Sequence, residues 1–335
     1  MNKDKKRNSV FEVVRIIAML FIITYHLLVM AYKETPTETL YKTAWIPLHI
    51  GVILFVLISG YFGIKCSLKG LLKLVSTIAL YYLPIAIFTD YENEGFKSLL
   101  FISHSPYWFI RTYLCLYLFS PVLNLYLKNT TTKERISLIL TLSFISIYLG
   151  TSQGDISLFD GKNLINFSLI YVIGNTIRTY KERIMQIPIK YIICSYIFIN
   201  LFTTTTYHIL HGGIVSKFIW FVSFPYCSPL LIINAILFFI ILFRLNFKSS
   251  AINYIASSMF AVYLIHCQPY INNLIDDILC NEIIGNNIYA NFIKIFLFAI
   301  AIMAVCTLID KTISRCYTFL SKAINGTFAK KQSIK

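Results

Sequence analysis

Apolar blocks follow one another along almost the whole chain, separated by short breaks of polar residues, Pro or Gly. A hydrocarbon core about 30 Å thick needs roughly 20 apolar residues at the 1.5 Å rise of a helix, so blocks near that length predict spanning helices. Ten are predicted, over residues 10–32, 44–64, 70–89, 107–127, 134–150, 164–178, 189–211, 221–243, 252–275 and 289–309. The fifth and sixth are short for a span, and the seventh carries a threonine tract from Thr203 to Thr206. No soluble domain, long linker or internal repeat interrupts the series. The expectation is an all-α polytopic protein, with residues 1–335 forming a single membrane-embedded domain.

Composition sharpens this picture. Of the 335 residues 57% are apolar and 13% charged, which leaves little water-facing surface to decorate. The net charge of +15 raises the question of nucleic acid, but the basic residues fall between apolar blocks, where orientation signals belong. Nucleic-acid binding is therefore excluded. With a cytoplasmic N-terminus, 22 of the 30 Lys and Arg lie on the inner side, and the outer loops hold only Lys33, Lys42, Lys97, Lys162 and Lys217. An even number of crossings with both termini cytoplasmic follows, in a multi-pass protein of the cell membrane, of the bacterial inner-membrane type. The opening MNKDKKR precedes an apolar run too long for a signal peptide, so it reads as the flank of an uncleaved first helix. Eight scattered cysteines form no C-x-x-C pair and read as small core residues.

Ionisable side chains at membrane depth cost about 2.5–3.5 kcal/mol each on insertion scales, which makes them functional candidates. The first block holds three: Glu12, Arg15 and His26. Eleven residues at about 100° each return to within roughly 20° of the starting direction, so Arg15 and His26 share a helix face, about 16 Å apart along the axis. Two readings fit. Either a cation and an imidazole line one interior stripe, or Arg15 snorkels to the cytoplasmic headgroups beside Glu12 while His26 hydrogen-bonds a neighbouring helix. Ser59 and Gly60 read as small residues for close helix packing. Arg111, Tyr113, Tyr117, Tyr263 and His266 are further intramembrane polar groups, whereas His49, His104, His208 and His211 fall toward the outer side. None of these histidines stands at metal-ligand spacing from a cysteine or carboxylate, so no metal site is expected.

Arg15, ten residues and then His26 in the first helix resembles the opening signature of the acyltransferase-3 family of integral membrane acyltransferases, as does Glu12 three residues before the arginine. FVLISGYF (Phe55 to Phe62), SPYWFIRTYLCLYLFSPVL (Ser105 to Leu123) and SSMFAVYLIH (Ser257 to His266) resemble later segments of that family, in family order. One departure stands out. The family's Arg-x-x-Arg pair at the start of the third helix, associated with donor phosphates, is replaced by KCSLKGLLKL, which offers Lys65, Lys69 and Lys73 on one helical face. Positive-inside loop charge explains these lysines equally well.

The resemblance implies an O-acyltransferase with no tightly bound cofactor. It takes an acyl group, most often acetyl, from cytosolic acyl-CoA and passes it to a hydroxyl of a cell-surface or capsular glycan or its lipid-linked precursor. In that reading His26 is the base, since an imidazole pKa near 6.5 suits deprotonation of an attacking alcohol. Arg15, held by Glu12, meets donor phosphates or the reacting carbonyl. Lys65, Lys69 and Lys73 assist donor binding, and Arg111, Tyr113, Tyr263 and His266 contact substrate. A flippase or exporter of a lipid-linked glycan and a glycan polymerase are the competing classes. The first lacks the expected paired helix interruptions in two halves, and the second lacks large outer loops.

Overall fold

The apolar blocks fold as helices in the computed structural model, which describes residues 8–32, 46–88, 107–151, 159–209, 218 and 221–332. The helices are α1 (Val10–Tyr32), α2 (Gly51–Phe62), α3 (Leu68–Phe88), α4 (Trp108–Asn129), α5 (Thr132–Thr151), α6 (Leu164–Thr179), α7 (Lys181–Gln186), α8 (Ile189–Ile209), α9 (Pro229–Phe243), α10 (Ser250–Ala256), α11 (Met259–His266), α12 (Pro269–Ile278) and α13 (Ile288–Gln332). No strand occurs among the described residues. Among the described residues four helices are each long and apolar enough to cross a bilayer alone: α1, α3 over Leu68–Ile85, α4, and α13 over Ile288–Cys316. Large apolar side chains such as Leu125, Phe144, Phe198 and Leu308 are exposed on the outside, as expected where lipid is the solvent.

Four blocks depart from the predicted helices, the second because α2 begins only at Gly51, after a turn at His49 and Ile50. The eighth begins its long helix only at Pro229, because Pro supplies no amide hydrogen and suits a first turn. Before it, the chain turns, with Ser228 Oγ donating to the Phe221 carbonyl at 2.6 Å. The ninth is no straight span. It breaks at Ser257–Ser258 and again before Pro269, where the chain bends by 86° between Ser250–His266 and Pro269–Ile283. Gln268 caps the new helix through the Ile271 amide at 2.9 Å. The tenth continues as helix to Gln332, far beyond its apolar part, since no Pro stops it.

α1 is the spine. Its first half packs into one apolar core with α2, α4, α6 and α9, and residues from Met19 to Tyr32 pack into a second with α3, α11 and α13. The closest crossing is α2 on α6. A Cβ on Gly60 would lie 2.1 Å from the Tyr171 carbonyl oxygen, and one on Gly174 would lie 2.4 Å from that of Leu57. Both glycines let two backbones touch, as the small residues at Ser59 and Gly60 suggested.

Basic residues counted as inner loop charges close helix ends. Arg135, buried, donates to the Leu127 carbonyl at 2.8 Å and to Asn175 Oδ1 at 2.7 Å. Arg178 donates to the carbonyls of Tyr61 and Phe62 at 3.4 and 3.3 Å, and Arg244 to those of Ile184 and Ile187, both at 2.7 Å. Carbonyls of a last helical turn lack partners within the helix, so guanidinium groups stabilise those ends by hydrogen bond and dipole alike. The turn between α2 and α3 is clasped similarly. The Tyr171 hydroxyl donates to Asn124 Oδ1 at 2.6 Å and accepts from the Ile64 amide at 2.8 Å.

Of the eight cysteines, Cys227, Cys267 and Cys306 are buried and the other five exposed. The expectation that the cysteines are small core residues is corrected for those five: Cys115 and Cys194 lie in apolar blocks, and Cys66, Cys280 and Cys316 between or beyond them. In a membrane protein an apolar block faces lipid as readily as core, so hydropathy alone does not separate the two.

Candidate active site

α1 projects Glu12, Arg15, Met19, Ile22 and His26 at alternating steps of three and four, which places them along one face. Two chambers follow that face. The larger, about 380 Å³, is bounded by Glu12 and Arg15 on α1, Ser59 on α2, Tyr113 on α4, and Asn253 and Ser257 beside the helix break. The smaller, about 20 Å³, is bounded by His26 and Tyr25 with His49, Trp108 and Tyr226. Ile22, Val52, Phe109 and Tyr263 border both chambers and form the partition between them.

In the large chamber Arg15 Nη1 donates to Glu12 Oε1 at 2.6 Å, with Glu12 buried and Arg15 about a quarter exposed. The carboxylate sits one turn before the arginine and fixes it toward the cavity. Tyr113 and Ser59 share a hydroxyl hydrogen bond of 3.2 Å on the opposite wall. The Asn253 Oδ1 atom is buried there with no partner among the described residues. The α11 end of this wall is anchored from behind: Asp310 on α13 accepts from the hydroxyls of Tyr81 and Ser258, and Lys311 donates to Ser257 at 2.6 Å.

At the small chamber His26 Nδ1 lies 3.3 Å from His266 Nε2, whose other nitrogen, Nδ1, meets the Val262 carbonyl at 2.7 Å. A carbonyl only accepts, so His266 Nδ1 carries the proton and Nε2 is the acceptor. His26 Nδ1–H then donates to it, which leaves a free lone pair on His26 Nε2. Cys267 Sγ approaches the same two nitrogens, at 3.3 Å from His266 Nε2 and 4.0 Å from His26 Nδ1. His49 packs edge-on against Tyr25, with ring centroids 4.7 Å apart, and tilted over Tyr226 at 4.4 Å. Both of its ring nitrogens are buried without a partner among the described residues.

A family model described as an acyltransferase domain, that of acyltransferase-3, matches residues 8–311. The chain belongs to the acyltransferase-3 family. No curated protein and no solved structure matches it significantly. As a family member with several helices able to span a bilayer, it is a multi-pass membrane protein of the acyltransferase class.

The fold thus gathers Glu12, Arg15, Tyr113 and Tyr263 around one cavity and sets His26 beyond the partition. His266 lines neither chamber and stands behind His26 as its hydrogen-bond partner. Lys69 and Lys73 are exposed on the first turns of α3, whose contribution to the cavity wall is Leu74, and Lys65 is exposed in the turn before it, so the three lysines do not share one helical face as expected. Arg111 is half-buried and borders neither chamber. His104, His211 and the His208 side chain lie outside the described residues. Sequence reasoning left His49, Cys267, Asn253 and Asp310 without a role. His49 stands just ahead of the apolar run of α2, and its depth was the available signal. The meeting of Cys267 with His26 had none, since 241 positions separate them.

Proposed function

We propose that the protein is a membrane O-acyltransferase that moves a small acyl group, acetyl foremost, from cytosolic acyl-CoA to a hydroxyl of a cell-surface or capsular polysaccharide or its lipid-linked precursor. The reading places ten crossings in the cell membrane, with both termini in the cytoplasm. The Ser9 contacts agree with that parity, since its hydroxyl accepts from the Ser249 amide at 2.8 Å and so brings the starts of α1 and α10 together.

The observation that carries the proposal is the single face of α1, which presents a cation to a large chamber and an imidazole to a small one, the two bordered in common by four side chains. A cavity of 380 Å³ admits the pantetheine arm of the donor, not its nucleotide. The nucleotide then stays at the cytoplasmic mouth, where Lys65, Lys69 and Lys73 are exposed and Arg15 offers a guanidinium. The thioester reaches toward the partition and the acceptor hydroxyl enters from the His26 side.

His26 Nε2 takes the acceptor proton as the oxygen attacks the thioester carbonyl, the C–S bond breaks, and the coenzyme A sulfur receives that proton back. His266 holds His26 in the tautomer that has the lone pair where it is needed. His49, whose ring nitrogens meet no partner among the described residues, supplies an N–H to the oxygen that becomes negative in the tetrahedral intermediate.

The test is release of free coenzyme A from acetyl-CoA by purified protein in liposomes, with and without glycan acceptor, for wild type and His26→Ala. Acceptor-dependent release that disappears in the variant is expected. Undiminished release by His26→Ala refutes the role of His26, and absence of any release by the wild type points to a carrier of the lipid-linked glycan.

A further inference from the structure

Spacing along the chain contains no metal-binding pattern, yet the fold assembles one. His26 Nδ1, His266 Nε2 and Cys267 Sγ stand 3.3, 3.3 and 4.0 Å from one another, with His26 the member of the three that borders the small chamber. We propose that these three atoms form an inhibitory site for a thiophilic divalent cation, zinc above all, whose binding switches the base off. The inhibitory part rests on the reading of His26 as the base; the site itself does not.

The geometry can be compared with what zinc requires. Bonds of about 2.0–2.1 Å to imidazole nitrogen and about 2.3 Å to thiolate, at tetrahedral angles, separate two nitrogens by about 3.3 Å and a nitrogen from the sulfur by about 3.6 Å. The observed triangle departs from that face by no more than about 0.4 Å on any edge, within reach of a small rotation of the Cys267 side chain. A point about 2.1 Å from both nitrogens and about 2.3 Å from the sulfur lies roughly 0.7 Å out of their plane, as a tetrahedral ion does, so one ion reaches all three without backbone movement.

The surroundings also suit a metal. The Val262 carbonyl, 2.7 Å from His266 Nδ1, fixes the ring so that Nε2 presents its lone pair, the outer-sphere hydrogen bond common to metal-binding histidines. Cys267 and His266 are buried, at 1% and 2% exposure, and are set by the end of α11 against the Gln268–Pro269 break. Helix geometry therefore holds two ligands on one element while α1 brings the third. Three protein ligands leave one tetrahedral position for water, as in zinc sites that exchange their ion.

Binding has a defined protonic consequence. The Cys267 thiol proton is released to solvent, and the His26 proton moves from Nδ1, now bound to metal, to Nε2. The nitrogen that accepted the acceptor's proton then carries one of its own. Zinc thus silences transfer by changing a tautomer, with no need to obstruct the large chamber.

The experiment titrates the full-length protein in detergent with Co²⁺ alone and reads its visible spectrum, then displaces it with Zn²⁺. Tetrahedral Co²⁺ bands with thiolate charge transfer are expected in wild type, and loss of the thiolate band with affinity weakened more than about tenfold is expected in Cys267→Ser. Acetyl transfer by the wild type should fall on Zn²⁺ addition and recover with chelator, while Cys267→Ser keeps its basal rate and resists Zn²⁺. If Cys267→Ser does not fold, X-ray absorption of zinc-loaded wild type decides, with two nitrogens and one sulfur expected. A zinc shell without sulfur, or a wild type that takes no Co²⁺, overturns the site and leaves the base reading standing. A normal Co²⁺ site in a protein that transfers no acyl group keeps the site and removes the base.

Discussion

Gly60→Ala tests whether the α2–α6 crossing sets the active-site wall. The new Cβ would lie 2.1 Å from the Tyr171 carbonyl oxygen and 2.8 Å from its carbonyl carbon and Cα, all backbone atoms that cannot rotate away. Ordinary contact begins at about 3.4 Å, so the two helices must part by roughly 1.3 Å along that line. Overpacking of this kind costs about 1–3 kcal/mol. α2 also carries Val52, Phe55, Ile58 and Ser59 of the large chamber, so the displacement moves one whole wall of the site. A misplacement of about 1 Å can cost roughly 10²-fold in rate. Thermal unfolding in detergent and acetyl transfer in liposomes should therefore both fall for Gly60→Ala, and likewise for Gly174→Ala. Gly285→Ala is the control, since its Cβ meets its nearest neighbour only at 3.7 Å, and it should change stability by no more than about 0.5 kcal/mol. A Gly60→Ala protein with wild-type melting temperature and rate would show that α2 and α6 do not pack as described.

Three further outcomes are expected. His49→Phe retains a ring between Tyr25 and Tyr226 but no nitrogens, so kcat should fall by about 10²–10³ with the donor KM unchanged; an unchanged kcat removes His49 from the chemistry. Asp310→Ala strips the hydroxyls of Tyr81 and Ser258 of a shared acceptor and should destabilise the fold by about 1–3 kcal/mol in a melting assay, which an unaltered melting temperature contradicts. Burial pushes the Asp160 carboxyl above its usual range, only partly offset by Lys162 at 2.8 Å. The folded state therefore holds that proton more tightly than the unfolded chain, and the stability it contributes is full below the unfolded pKa and is lost as pH rises through the folded one. The difference between the melting temperatures of Asp160→Asn and wild type should accordingly grow in the variant's favour as pH rises across that interval, and a difference independent of pH refutes the assignment.

Much of this architecture is legible in the sequence, for a physical reason. Lipid forces long apolar runs, and within them a polar or charged residue stands out, which is how Arg15 and His26 could be placed on one face before any contact was known. The helix bounds of α1, α5 and α6 match their blocks to within two residues. The ninth block misled because hydropathy averages over a Pro, and Pro269 turns the chain where composition remains apolar. The lysines of α3 were legible as charge but not as position, since a helical face known from periodicity does not reveal which neighbour it meets. His49 reads from sequence only as an outer-side histidine, and Asp310 carries no signal, because each acts through contacts with helices distant in sequence, and one chain without its fold contains no record of such meetings.

The partition of Ile22, Val52, Phe109 and Tyr263 has a consequence for the cell as well as for the reaction. An enzyme that joins a donor on one side of a bilayer to an acceptor on the other risks short-circuiting the membrane, since a continuous wet path would conduct protons down a potential worth about 2.3 kcal/mol per charge at 100 mV. The four side chains that border both chambers offer three hydrocarbon surfaces and one phenol, a layer with no charge to carry an ion across. An uncharged acyl group can be presented across such a layer, whereas phosphate, hydronium and hydrated ions are turned back. In the proposed reaction the acyl group and the attacking hydroxyl meet at this layer, and its closure before and after transfer would keep the membrane electrically tight.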